Sequence, residues 1–84
     1  MTYFVYLIGN YKKSKVTTYA GYTNNLENRI KLHNLGKGAK FTKGRNWKLI
    51  YSKNYLTKKK AMKEEYKLKK NYKLRNFIIK NIYI

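Results

Sequence analysis

Hydrophobic and polar positions divide the chain into six stretches. Tyr3-Phe4-Val5-Tyr6-Leu7-Ile8 is aromatic and β-branched without alternation, the pattern of a strand buried on both faces and therefore central in its sheet. Residues 9–15 are polar and read as a loop, and residues 16–20 are β-prone again, so the pair predicts an antiparallel hairpin. A helix follows. Asn24 is its expected N-cap, with Glu27 in the capping-box place. Leu26, Ile30 and His33 fall on one stripe, and Gly36 supplies the stop. Residues 36–46 form a glycine-rich basic loop. Trp47, Leu49 and Tyr51 then alternate with Lys48, Ile50 and Ser52 as a third strand. Thr57 caps a second helix to about Lys70, with Ala61, Met62 and Leu68 on its apolar stripe and Glu65 in the middle of it. A last helix over residues 72–82 places Leu74, Phe77, Ile78 and Ile82 at helical spacing. The order β-β-α-β-α-α predicts an α+β fold, a small three-stranded sheet flanked by helices, as one domain over residues 1–84.

Charge changes this picture most. Lys and Arg number 21 against 3 acidic residues, a net charge of +18, so a polyanion is the expected partner, nucleic acid before an anionic membrane surface. The basic residues are spread over loops and both later helices and form no single polar face, which disfavours the membrane surface. A hydrophobic fraction of 43% is too high for a disordered basic tail. With no cysteine, a disulfide scaffold and a thiolate zinc site are excluded. The longest apolar run is too short to span a membrane and no secretory leader is visible, so an intracellular location is expected.

Few residues can carry chemistry. Asp is absent, so no Ser-His-Asp set can be assembled, and the acids are Glu27, Glu64 and Glu65, so with Glu27 as a cap a paired-carboxylate or two-metal mechanism is not expected. An inward Glu65 needs a cation, a metal or hydrogen bonds. It either meets one of the many lysines or serves as a hard oxygen ligand, and Mg²⁺ takes only one or two carboxylates. Arg29 sits about 60° from Leu26 on a helical wheel and one turn before His33, the single histidine, so their heads can converge. Such an arginine is commonly solvated and such a histidine commonly structural. Together they can hold a phosphate and move a proton near neutral pH. Tyr6 and Tyr19 are two of ten tyrosines, ordinary core or, beside cations, acid–base groups. The basic loop lacks the Gly-Lys-Ser/Thr ending of a P-loop and reads as phosphate-contacting lysines and amides, or as solvated loop.

These residues resemble a known family. Phe4-Val5-Tyr6 and Tyr19-Ala20-Gly21, with twelve residues between the tyrosines, look like the paired motif of GIY-YIG nucleases. Arg29 falls ten residues after Tyr19, at the family's catalytic arginine, and His33 where several members have a histidine. His33-Asn34 with Gly36 to Arg45 resembles the small stand-alone bacterial UPF0213 or YhbQ-like group and the nuclease domain of Slx1-type junction resolvases. Ala61 to Tyr66 resembles their second-helix segment, whose metal-binding glutamate aligns with Glu65. Phe4 and Ala20 depart from the motif's glycine and isoleucine, and Tyr22 stands where some members carry lysine. A full Slx1-type subunit with its cysteine-rich zinc domain, and site-specific cleavage of the homing type, are not expected.

The resemblance implies cleavage of DNA. Tyr6 or Tyr19 would activate water, with Tyr6 the first choice as base. Arg29 would stabilise the scissile phosphate, His33 would assist, and Glu65 would hold one Mg²⁺ or Mn²⁺, with no small-molecule cofactor. The expected function is a metal-dependent endonuclease of low sequence specificity, serving DNA repair or recombination. Lys12, Lys13, Lys37, Lys40, Thr42, Lys43 and Arg45 are the expected nucleic-acid contacts. The alternative is a nucleic-acid-binding module that kept the scaffold and lost activity.

Overall fold

The computed structural model describes residues 2–83. Its elements are β1 (Tyr3–Lys12), β2 (Lys15–Thr23), α1 (Leu26–Asn34), β3 (Lys48–Tyr55), α2 (Lys58–Lys70) and α3 (Tyr72–Tyr83). The sheet is antiparallel in the order β2-β1-β3. β1 is central, as its unbroken apolar run predicts. Val5 and Leu7 point to a core shared with Ala20, Ile50, Ala61, Leu68 and Ile78. Tyr6 and Ile8 point the other way and pack with Trp47, Tyr19, Leu26 and Ile30. The sheet therefore lies between α1 on one face and α2 with α3 on the other.

Most of the expected loop at residues 9–15 is strand. Both arms continue to the Lys12–Lys15 pair, and the turn is Lys13-Ser14 alone, with φ of 53° and 63°. Two positive φ values match the twist of a two-residue hairpin, usually signalled by Asn-Gly or Asp-Gly. On β3 the alternation is broken by a bulge. Leu7 faces Tyr51 but Ile8 faces Leu49, so Ile50 has no opposite number and turns inward beside Tyr51.

The helix ends follow their side chains. Asn25, not Asn24, caps α1, its Oδ1 accepting from the Asn28 N–H at 3.1 Å. Glu27 consequently sits one position early for a capping box and pairs at 3.8 Å with Lys31 on the surface. Gly36, at φ 76°, closes the helix, with the Lys37 N–H donating to the Leu32 carbonyl at 2.8 Å. Thr57 caps α2 through the Lys60 N–H at 3.1 Å. Met62 is 48% exposed and lies off the stripe, which is Ala61 and Leu68. On α3 the inward residues are Leu74, Ile78, Ile79 and Tyr83, whereas Phe77 and Ile82 are exposed. No helix of the described residues is long and apolar enough to cross a membrane.

Candidate active site

Four of the five expected catalytic side chains meet on the α1 face of the sheet. Tyr6 projects from β1 and His33 from the last turn of α1, and both are buried. The Tyr6 hydroxyl lies 2.7 Å from His33 Nε2. Tyr19, from β2, presents its ring edge-on to His33 at a centroid distance of 5.2 Å. Arg29, one turn before His33, stands near enough to Tyr6 for its charge to act on the phenol and donates from Nη2 to the Gly38 carbonyl at 3.1 Å. Gly21 pairs across β1 with Tyr6, and a Cβ there would be driven into the Tyr6 hydroxyl. The motif glycine is thus the space in which the phenol rests.

The basic loop between α1 and β3 holds the histidine from behind. His33 Nδ1 is 3.0 Å from Thr42 Oγ1, whose own hydroxyl donates to the Ala39 carbonyl at 3.0 Å. With its single proton committed, Thr42 accepts from Nδ1–H. Neutral His33 then has a free lone pair on Nε2, and the Tyr6 O–H donates to it. The loop is fastened at its far end too. Trp47 Nε1 donates to the Thr42 carbonyl at 2.9 Å, and the Asn34 side chain bonds both the N–H and the carbonyl of Trp47. A Cβ on Gly38 would be driven into the imidazole, so only glycine lets the loop lie this close.

Thr42 is therefore misplaced in the expected nucleic-acid surface. It is 0% exposed, and its hydroxyl is spent inside the protein. Lys12, Lys13, Lys37, Lys40, Lys43 and Arg45 are exposed. Lys12, Lys43 and Arg45 line a groove of about 890 Å³ with Tyr11, Trp47 and Tyr83 at the hairpin end of the sheet. Arg45 also lies 5.0 Å over the Phe41 ring and donates to its carbonyl at 2.6 Å.

Electrostatics follow from this enclosure. Burial raises the Tyr6 pKa above 10.0, Arg29 opposes the rise, and Tyr19 and Glu65 add to it. Burial lowers the His33 pKa below 6.5, and the Arg29 charge lowers it further. Near neutral pH the pair is a phenol donating to a neutral imidazole.

Glu65 comes from α2, near enough for its charge to be felt at Tyr6. Its side chain is 15% exposed and meets Lys69 at 3.4 Å within its own helix. No group of three or more His, Cys, Asp or Glu is placed to hold a metal among the described residues. One hard carboxylate fits Mg²⁺ or Mn²⁺ provided that most other ligands are waters and substrate oxygens. Glu64, beside it in sequence, is engaged by Lys60 at 3.3 Å and Lys67 at 3.2 Å, and its pKa is lowered chiefly by the Lys67 hydrogen bond. That Thr42, Asn34 and Gly38 hold the histidine and its loop escaped the sequence reading, which set Thr42 on the nucleic-acid surface. Their signal was only their crowding around the single histidine.

Comparison with known proteins matches residues 2–77 to the model of the GIY-YIG catalytic domain. A UPF0213 protein of Clostridium perfringens is 43% identical over 83 residues, covering 94% of this chain and 86% of that protein. Another, of Oceanobacillus iheyensis, is 52% identical over 52 residues, covering 61% of this chain and only 60% of that protein's length. The solution NMR structure of a UPF0213 protein from Bacillus halodurans is 36% identical, with a TM-score of 0.49 over 92% of this chain and 85% of that one.

Proposed function

The chain belongs to the UPF0213 group of the GIY-YIG nuclease superfamily, and from that premise we propose that it is a divalent-metal-dependent DNA endonuclease of low sequence specificity, acting inside the cell in DNA repair or recombination. The observation that carries this reading is the 2.7 Å bond from the Tyr6 hydroxyl to His33, with Arg29 beside it.

Hydrolysis of a phosphodiester needs a proton acceptor for the attacking water, a held phosphate and donors for the charge that develops on it. A phenol whose pKa is raised does not stand as phenolate. It can pass protons on. As water approaches Tyr6, the phenol gives its proton to His33 Nε2 and takes one from the water. The hydroxide so formed makes a new P–O bond while the bond to the leaving oxygen breaks. That oxygen departs with the electron pair and is protonated by solvent. His33, now imidazolium, loses its extra proton to solvent by the reverse route. Thr42 keeps Nδ1 as the donor throughout, so Nε2 is always the nitrogen that accepts. The phosphate would be seated in the cavity of about 420 Å³ that Arg29 lines with Tyr22, Asn24 and Lys58. There the guanidinium grips the phosphate and stabilises its growing charge. Tyr19 braces the imidazole. Glu65 would hold one Mg²⁺ or Mn²⁺, which when bound neutralises phosphate charge. The exposed lysines and Arg45 would track the backbone and give binding that weakens steeply with salt.

Incubation with supercoiled plasmid and with branched DNA, in Mg²⁺, Mn²⁺ or chelator, tests the reading. Wild-type protein should nick only with metal, and Glu65→Ala, Arg29→Ala and Tyr6→Phe should each lose nicking. Nicking that survives all three substitutions refutes the site. DNA binding without cleavage in either metal identifies a binding module on the same scaffold.

A further inference from the structure

A further cation-lined cavity lies beside Tyr19. It measures about 300 Å³, and Tyr19, Phe41, Lys69 and Arg75 surround a floor of Leu7 and Ala20. Arg75 belongs to α3, an element with no part in the site above. Its Nε is buried and without a hydrogen-bond partner. No carboxylate pairs with it among the described residues: Glu27, Glu64 and Glu65 are each engaged by lysines. A buried guanidinium nitrogen with nothing to donate to is unfavourable, the more so because it carries charge.

We propose that this cavity is a subsite for a second phosphate of the same DNA strand, next to the scissile one, with Arg75 as its principal donor and Lys69 as the second cation. The proposal rests on the nuclease reading. Two walls of the cavity are already tied to that site. Tyr19 touches the His33 ring, and Lys69 touches the Glu65 carboxylate. In this proposal a strand seated on Arg29 crosses the β2 edge and sets its next anionic group against Arg75. A phosphate there is held by the guanidinium, and a small turn of the Arg75 side chain brings Nε out of its buried position to donate together with a terminal nitrogen, the bidentate geometry that guanidinium favours. The phosphate also draws Lys69 from Glu65, leaving that carboxylate free for the cation when substrate is in place.

The test uses the full chain labelled with ¹⁵N, in chelator so that no DNA is cut. The Arg75 Nε–H resonance is assigned by its loss in Arg75→Lys. Short duplex DNA should shift it in step with binding, whereas inorganic phosphate at the same concentration should leave it in place. In anisotropy titrations against salt, Arg75→Ala should flatten the slope of log K by about 0.9, one phosphate contact, and Arg75→Lys should restore it. A resonance that stays still while DNA binds overturns the proposal. So does an unchanged slope in an Arg75→Ala protein of lowered Tm, which would make Arg75 structural. A shift with inorganic phosphate and none with DNA replaces the strand subsite by a free-phosphate site. Wild-type protein that shifts the resonance but cuts no DNA refutes the nuclease reading and keeps the subsite. Wild-type protein that cuts DNA without moving the resonance does the reverse.

Discussion

The phenol of Tyr6 donates to the imidazole of His33 across 27 residues of sequence and 2.7 Å of space, with Tyr6 1% and His33 0% exposed. Tyr6→Phe keeps the ring and removes the proton path. Metal-dependent nicking should fall by at least about 10²-fold, the usual worth of a positioned acid–base group. Stability should fall by only about 1 kcal/mol, for one buried hydrogen bond. Single-turnover nicking and urea unfolding of the same preparation read the two effects separately.

Acid should loosen the fold through His33. Its folded pKa lies below the 6.5 of the unfolded chain because it is buried. Between those two values the unfolded state holds a proton that the folded state lacks, so stability rises with pH through that window. The contribution is complete above 6.5 and is lost as pH falls through the window. Urea midpoints taken at about pH 7.5 and about pH 5.5 should therefore drop on acidification, and His33→Gln should remove most of the drop.

Thr42→Val should cost activity without touching DNA binding. It leaves Nδ1–H and the Ala39 carbonyl without the hydroxyl that joins them, so His33 is free to carry its proton on Nε2 and oppose the Tyr6 hydroxyl. Imidazole ¹⁵N shifts should report the Nδ1–H form in wild type and a mixture in Thr42→Val. Thr42→Ser should restore both the tautomer and the nicking rate. A wild-type spectrum of the Nε2–H form would contradict the proton path.

Gly21→Ala should damage the site from the strand opposite. The added methyl takes the place of the Tyr6 hydroxyl, and overpacking of a filled interior costs typically about 1–3 kcal/mol. The double variant Gly21→Ala/Tyr6→Phe should regain a small part of the lost Tm, because the hydroxyl, the nearest atom to the methyl, is gone while Cζ at 2.6 Å still crowds it. Thermal melts of the two proteins check this.

The sheet order, the three helices and the convergence of Tyr6, Tyr19, Arg29 and His33 were legible because each rests on local periodicity or on motif spacing. What was hidden depends on contacts between polar residues distant in sequence. Thr42 looks like a surface residue among lysines, and nothing local shows that its hydroxyl faces a histidine nine residues earlier. Asn25 won the α1 cap from Asn24 because either asparagine satisfies the composition rule and only geometry chooses. The stripe of α3 turned away from Phe77 and Ile82, since Leu74, Ile78, Ile79 and Tyr83 reach the sheet and two stripes share one sequence. The extra Ile50 in β3 shifted an alternation that the residues alone keep in phase.

The fastening of the basic loop to His33, Arg29 and Asn34 also decides where this chain tolerates added length. A residue inserted among positions 38–47 breaks the bonds that orient the imidazole, and so taxes turnover and folding together. The Lys13-Ser14 turn stands at the far end of the hairpin, beyond the last pair with β3, and touches none of those bonds. A targeting segment grafted there would lend the domain an address without disturbing its chemistry.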